Sequence, residues 1–393
     1  MSIWSRINDW WRGRGQTNAA TFDIFDLLGR NPICLDTPEL QRFLAGKSIL
    51  VTGAGGSIGS EICRQSMKFC PRRLVLVERA ENALFEIDRE LGERWIGADI
   101  RPCLADICDQ ERITAIFKEE QPDVIFHCAA HKHVPLMEEN PGEAVKNNVL
   151  GTRIVADAAL DTRCHAFVMV STDKAVNPTS VMGATKRCAE LYVQSLNDAG
   201  TTRFVAVRFG NVIGSSGSVV PIFQKQIAAG GPVTVTHPEM KRYFMTIPEA
   251  SQLVMQAGAI GQGGEIFILD MGEPVRILDL ARQMIIQGGL RPDEDIQIKF
   301  TGVRPGEKLY EELSAGNEQT RPTSHEKIRV WQLPVASRGQ VELMLQTLTT
   351  ALAGGPANIV DALKQCVGEY QPRRAAAPGP EKSRIPLRLV RAA

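Results

Sequence analysis

Ser48 to Thr52 is an apolar, β-prone run, and Gly53-Ala54-Gly55-Gly56-Ser57-Ile58-Gly59 follows it without a gap. A helical pattern begins near Ser57. Strand, glycine turn and helix in that order constrain the fold more than any other stretch of the chain. Gly53 permits the tight turn, Gly56 lets the backbone approach a pyrophosphate, and Gly59 lets helix and strand pack closely. The helix N-terminus at Ser57 and Ile58 then faces the phosphates. The expectation is an α/β fold: a doubly wound parallel Rossmann sheet carrying a dinucleotide, with a smaller C-terminal α/β substrate-binding domain.

The following strands place the remaining cofactor contacts. Leu74 to Val77 reads as the second strand, ended by Glu78 and Arg79. A carboxylate there takes both ribose hydroxyls of NAD, whereas an Arg holds the 2′-phosphate of NADP. Both are present, and Glu78 favours NAD. Asp106-Ile107 follows a third strand, Pro102 to Ala105, and is placed to meet the adenine edge; helix capping is the other reading, for Asp109 above all. Asp123 to Cys128 is a fourth strand running into Ala129-Ala130-His131-Lys132-His133. His131 and His133 alone do not complete a metal shell, so no metal is expected. A loop passing the nicotinamide ribose suits Ala129 and Ala130 better. Pro141 to Leu160 reads as one long helix carrying Asn147 and Asn148.

The apolar strand His165 to Val170 opens onto Ser171-Thr172-Asp173-Lys174, and a helix from Val181 to about Ala199 carries Met182 and Lys186. A hydroxyl pair, a carboxylate and two lysines thus gather at a strand's C-terminal end, where open α/β sheets do chemistry. Met182 and Lys186 are four apart and share a helix face. In short-chain dehydrogenases this spacing holds a Tyr and a Lys; a thioether accepts no alcohol proton. Either the site is dead, or Asp173 and Lys174 do the acid–base work.

After a sixth strand, Thr202 to Arg208, a polar glycine-rich loop runs from Asn211 to Pro221. Short strands (Val233 to Thr236, Ile266 to Leu269, Ile296 to Lys299, Ile328 to Trp331) then alternate with helices (Pro221 to Ala229, Pro248 to Ile260, Ile277 to Ile286). The expected divisions are an extension over 1–45 with short helices at Phe22 to Leu28 and Pro38 to Leu44, a Rossmann domain over 46–210, and a substrate domain over 211–335 that exchanges chain with it. Surface helices over 336–371 and a tail over 372–393 complete the chain. The tail holds six basic residues against Glu381 and is expected to be disordered.

Lys plus Arg and Asp plus Glu are 45 each, so no global field points to nucleic acid. Nine scattered cysteines without a C-x-x-C pair favour a reducing cytosol. No apolar run reaches the ~18 residues that span a bilayer. Trp4, Trp10 and Trp11 join Ile3 and Ile7 on one helical stripe within residues 1–15. That stripe suits the inner face of a membrane or packing on the domain or a partner.

Together the Thr52–Gly59 fingerprint, Ser171–Lys174, Met182-x-x-x-Lys186, the Arg208–Pro221 loop and Arg304-Pro305-Gly306-Glu307-Lys308 resemble the extended short-chain dehydrogenase/reductase family. Within it they look like the UDP-N-acetylglucosamine 4,6-dehydratases of the CapD-like branch, in which the Met form is known. The resemblance covers about residues 25–335, from the Leu27–Arg30 link onward. It implies a homo-oligomer acting on a UDP-sugar with NAD. It also implies that C4 is oxidised, water is lost across C5–C6, and hydride returns to C6. Lys174 would then be the base at C5, its amine kept partly neutral by burial and by the Lys186 charge. Asp173 would protonate the departing hydroxyl, Thr172 would bond the sugar O4, and Lys186 the nicotinamide ribose. Asn211, Ser218, Arg242, Arg304 and Glu307, with His133, would hold the UDP-sugar. The acceptor of the C4 hydroxyl proton is left open between water and Asp173. A 4-epimerase, which relies on the missing Tyr, and a non-catalytic NAD-sensing scaffold are the competing readings.

Overall fold

The computed structural model describes residues 37–313, 320–331 and 336–373. The Trp-rich stretch, the expected helix at Phe22 to Leu28, and the tail beyond Arg373 lie outside them. Six parallel strands form the first half of the main sheet: β1 (Ser48–Thr52), β2 (Arg73–Glu78), β3 (Ile100–Leu104), β4 (Val124–His127), β5 (Ala166–Val170) and β6 (Arg203–Arg208). Their order is β3-β2-β1-β4-β5-β6, so the winding reverses between β1 and β4. The centres of β1, β2, β4, β5 and β6 are buried and apolar on both faces, as helices covering both sides demand, whereas β3 at the edge buries only Cys103. One face packs on helices Gln110–Glu120 and Val181–Ser195, the other on Ser57–Met67 and Ile247–Ile260.

Nine further strands complete the count: β7 (Asn211–Val212), β8 (Val233–Val235), β9 (Lys241–Arg242), β10 (Phe244–Met245), β11 (Ile266–Leu269), β12 (Val275–Arg276), β13 (Ile298–Phe300), β14 (Thr320–Pro322) and β15 (Ile328–Trp331). Ile266–Leu269 and Ile328–Trp331 belong to the main sheet, so the chain beyond Arg208 is shared between it and the smaller region. β11 adds parallel to β6, β15 antiparallel to β11, and β14 antiparallel to β15, giving nine strands. Ile266, Phe267, Leu269, Ile328 and Trp331 are all buried, so an apolar edge gains its cover by extending the sheet. The smaller region keeps three two-stranded pairings, β7/β10, β8/β13 and β9/β12. It has its own core around Phe223, Val235, Met240, Leu280 and Met284.

The expected helix over Pro141 to Leu160 forms as Pro141–Val145, a π-helical segment Lys146–Gly151, and Thr152–Asp161. Such a segment shifts the register of the helix and is common at functional sites. Helices Arg338–Ala351 and Pro356–Cys366 bury Leu348, Ile359 and Leu363 against the main core rather than riding free on the surface.

Candidate active site

Four loops leave the C-terminal ends of β1, β4, β5 and β6 around the reversal point, where a crevice forms. Gly53 has φ +65°, and a Cβ there would meet the Ala129 nitrogen at 2.8 Å. At Gly59 a Cβ would lie 2.1 Å from the Gly53 carbonyl, so the helix rests directly on the turn. The Glu78 carboxylate accepts from Gly55 (3.2 Å), Arg79 (2.9 Å) and Ala80 (3.0 Å) backbone N–H groups. Arg79 reaches across to Asp106 (3.6 Å) and His131 (3.4 Å). Asp106 also accepts from Cys108 N, while Asp109 caps helix Gln110–Glu120 through Arg112 N. A cavity of about 390 Å³ is bounded here by Arg79, Asp106, Lys146, Asn147 and Arg153. Ile107 is buried, packed under Gly151 of the π segment.

Two residues that sequence reasoning left without a role shape this crevice. His127 at the end of β4 is fully buried between Thr52 Oγ1 (2.8 Å) and Thr152 Oγ1 (2.9 Å). Thr152 gives its own proton to the Asn148 carbonyl, so His127 donates through Nε2 and accepts at Nδ1 from Thr52. Burial first, and the Lys186 charge second, push this imidazole down to about 3, which keeps it neutral. Thr52 Oγ1 in turn accepts from Ala129 N, fixing the loop through Ala129 and Ala130. Asn148, in the π segment, accepts from His131 N and donates to the His131 carbonyl and to Thr185 Oγ1. It joins that loop to the helix bearing Met182 and Lys186. A polar residue inside an apolar strand was the available signal for His127.

At the end of β5, Thr172 caps the short 3-10 turn Asp173–Ala175 and donates to Asp173 Oδ1 (2.9 Å). Lys174 Nζ donates to Asp173 Oδ1 (3.0 Å) and to Asn211 Oδ1 (3.2 Å), and Glu311 Oε1 lies 3.8 Å away. Asp173 is fully buried, and its Oδ2 has no partner. The helix starting at Val181 presses on this turn: a Cβ at Gly183 would sit 2.1 Å from the Lys174 carbonyl. Met182 is buried as well, so the phenol's usual place is filled by thioether in the core. Lys186 is buried and lowered to about 8, burial outweighing Glu190. For Lys174 the expectation is corrected. Burial lowers its proton affinity, but Asp173 and Glu311 raise it more, so the resting amine is a firmly charged ammonium. Lys186 does not enter that balance.

On the substrate side, His133 faces Gly217, where a Cβ would come within 2.8 Å of the ring. Ser216 N donates to Ser57 Oγ (3.2 Å), so the polar loop crosses the fingerprint helix. Ser218 Oγ is buried without a partner. Arg242 is buried beside Glu311 (3.8 Å) and donates to the Lys241 and Leu309 carbonyls. Arg304 and Glu307, both expected on the UDP-sugar, bind one another (3.0 and 2.5 Å) with Arg304 exposed. Glu311 was missed: within Glu307 to Glu312 three carboxylates look alike in sequence. Residues 371–373 close the site from outside. Gln371 N donates to Pro178 O, Arg373 N to Thr179 O, and Gly306 N to Arg373 O. Among the described residues no group of three or more His, Cys, Asp or Glu could hold a metal ion, and no helix is long and apolar enough to cross a membrane.

A family model described as polysaccharide biosynthesis protein matches residues 49–333. The capsular polysaccharide biosynthesis protein CapD of Staphylococcus aureus is 54% identical over 333 residues, 84% of this chain and 55% of that protein. The chain therefore spans about half the length of that relative. A UDP-N-acetylglucosamine 4,6-dehydratase (inverting) of Campylobacter jejuni is 34% identical over 278 residues, 70% of this chain and 79% of that one. The X-ray structure of Pen from Bacillus thuringiensis superposes with TM-score 0.69 at 36% identity, covering 75% of this chain and 90% of that chain. The chain belongs to the polysaccharide biosynthesis protein family, as a CapD-like extended short-chain dehydrogenase/reductase.

Proposed function

We propose that the chain is a nucleotide-sugar 4,6-dehydratase that converts UDP-N-acetylglucosamine to the 4-keto-6-deoxy sugar, for surface polysaccharide or glycan biosynthesis. The observation that carries this is the pairing of fully buried Asp173 with half-buried Lys174 at the end of β5, with Met182 where a phenol would serve simple oxidation. The likeness to the Campylobacter jejuni UDP-N-acetylglucosamine 4,6-dehydratase supports this reading.

A dinucleotide fits the cleft, because the contacts at Gly53 and Gly59 leave no room for side chains where the pyrophosphate and helix must approach. Gly53, Gly56, Ser57, Ile58 and Gly59 would hold the pyrophosphate, Glu78 the ribose, Asp106 and Ile107 the adenine side, and Ala129, Ala130 and Lys186 the nicotinamide ribose. Glu78 favours NAD over NADP, and Arg79 is already engaged by Asp106 and His131. When bound, this group supplies a hydride acceptor at C4 and a donor at C6.

The protons are handled by the chain itself. One proton passing 3.0 Å from Lys174 to Asp173 turns the ion pair into a neutral amine and a neutral acid. That exchange needs nothing from solvent, and desolvation by a bound sugar favours it. The amine takes the C5 proton of the 4-keto sugar, and the acid protonates the leaving 6-hydroxyl. The pair returns to ammonium and carboxylate as water departs; the ammonium then gives a proton back to C5, and the proton released by the C4 hydroxyl restores it. Thr172 would bond O4, and Asn211, Ser218, His133, Arg242, Arg304 and Glu307 would hold the nucleotide. For Arg304 and Glu307 this requires their mutual pair to open.

Incubation of the protein with UDP-N-acetylglucosamine should give a product lighter by one water, with solvent deuterium at C5 and no build-up of reduced dinucleotide. A product of unchanged mass with inverted C4 would instead establish an epimerase, and no product at all would favour a scaffold.

A further inference from the structure

Glu311 follows the Arg304–Lys308 motif and is buried. Its Oε1 lies 3.8 Å from Lys174 Nζ and 3.8 Å from the Arg242 guanidinium, beyond hydrogen-bond length from either. Its Oε2 is buried with no hydrogen-bond partner. A carboxylate retained only to brace the fold would have its oxygens paired. With Asp173 it completes a set of two carboxylates and two cations drawn from separate parts of the chain: β5's end, β9 and the segment around Leu309. The groups facing Lys174 are Asp173 from its own turn, Asn211 from β7, Arg242 from β9, and Glu311.

We propose that Glu311 is a positioning residue of the proton-transfer site: it bridges Lys174 and Arg242 and so sets both the place and the charge of the C5 base. This rests on the dehydratase reading for its chemical role, but not for its geometry. The carboxylate favours the ammonium form of Lys174 and opposes Arg242, which favours the free amine. Removing its charge therefore lowers the proton affinity of Lys174.

The test compares wild type, Glu311→Gln and Glu311→Asp. Competitive labelling with acetic anhydride, read by peptide mass spectrometry, gives the pH midpoint of the Lys174 amine whether or not the protein turns over. Glu311→Gln should move that midpoint down by about one unit, the usual effect of one charge at such a distance. Glu311→Asp, which keeps the charge on a shorter stem, should hold the midpoint while lowering kcat about tenfold, as misplaced acid–base groups do. In the activity arm the alkaline limb of kcat should shift downward with the midpoint. An unmoved midpoint in folded Glu311→Gln overturns the proposal, as does a loss of activity equal at every pH. Absence of dehydration in wild type would overturn the reaction assignment instead, with the labelling arm still deciding on Glu311.

Discussion

Ser171 and Asp173 leave the same strand, and each joins a buried cluster of charge, but the clusters are built differently. Ser171 donates to Glu190 Oε1 (2.6 Å), which also accepts from Arg208 Nε (2.6 Å). Glu190 Oε2 accepts from Arg208 (2.5 Å) and Arg187 (3.3 Å), and Trp331 covers Arg208 at 3.8 Å. Every oxygen of that carboxylate is taken. Around Asp173 the spacings run from 2.9 to 3.8 Å, and Asp173 Oδ2 and Glu311 Oε2 are left over. The Glu190 carboxylate, with both oxygens taken, ties helix, β6 and β15 together even though Arg208 Nη1 is left over, whereas the Asp173 and Glu311 carboxylates hold acceptors in reserve for a ligand. Burial alone therefore does not mark a functional carboxylate, whereas a buried oxygen left without a donor does.

Lys174→Met attacks the open cluster and should have the largest effect. Dehydration should fall by about 10²–10⁴, the worth of one positioned acid or base. The melting temperature should stay near that of wild type. Product mass and a thermal melt check both halves, and a variant that keeps its turnover would erase the distinction between the clusters.

Glu190→Gln attacks the closed cluster. Two buried guanidinium groups lose their anion, which should cost about 3–5 kcal/mol in denaturant unfolding. The pH dependence has a definite sign. Burial raises the Glu190 pKa, but Arg208 and Arg187 outweigh it and hold the carboxylate below its ordinary value. The wild-type contribution is thus present above the ordinary carboxylate range and lost as pH falls through the lower folded value. The variant should lack that acid-side loss, and an identical acid-unfolding profile would count against the assignment.

The smallest effect should come from Lys186→Met, and it should be a gain. Lys186 is lowered from 10.5 to about 8 by burial. At neutral pH it is charged in both states, and the folded state carries the cost. Between about 8 and 10.5 the unfolded chain binds the extra proton, so wild-type stability rises with pH there. Lys186→Met should add on the order of 1–3 kcal/mol at neutral pH, an advantage that fades by the alkaline end of that window. Dinucleotide affinity should drop in the same variant. Melts across the pH range test this, and a uniformly destabilised variant would show that Lys186 has a structural partner role.

The glycine turn, the strand ends and the Asp173–Lys174 dipeptide were legible in sequence because each is local: their meaning lies within a few residues. Ile266–Leu269 and Ile328–Trp331 were legible as strands but not as members of the main sheet, since a ladder's partner is not written into a strand's own pattern. His127, Asn148 and Glu311 are defined by what other segments bring to them, over separations such as 75 residues for Thr52 and His127. For Lys174 the largest raising neighbour, Asp173, stands beside it in sequence, and only the second, Glu311, arrives from far along the chain.

The backbone bonds from Gln371 and Arg373 to Pro178, Thr179 and Gly306 carry a consequence for the order of assembly. Synthesis runs from the N-terminus, so the dinucleotide half of the crevice can form while these residues are still unmade. The loop holding Asn177 to Thr179 is tied to Gly306 from outside only after residue 373 has emerged. A nascent chain would therefore acquire the nucleotide fold before the loop over Asn177 to Thr179 is tied down.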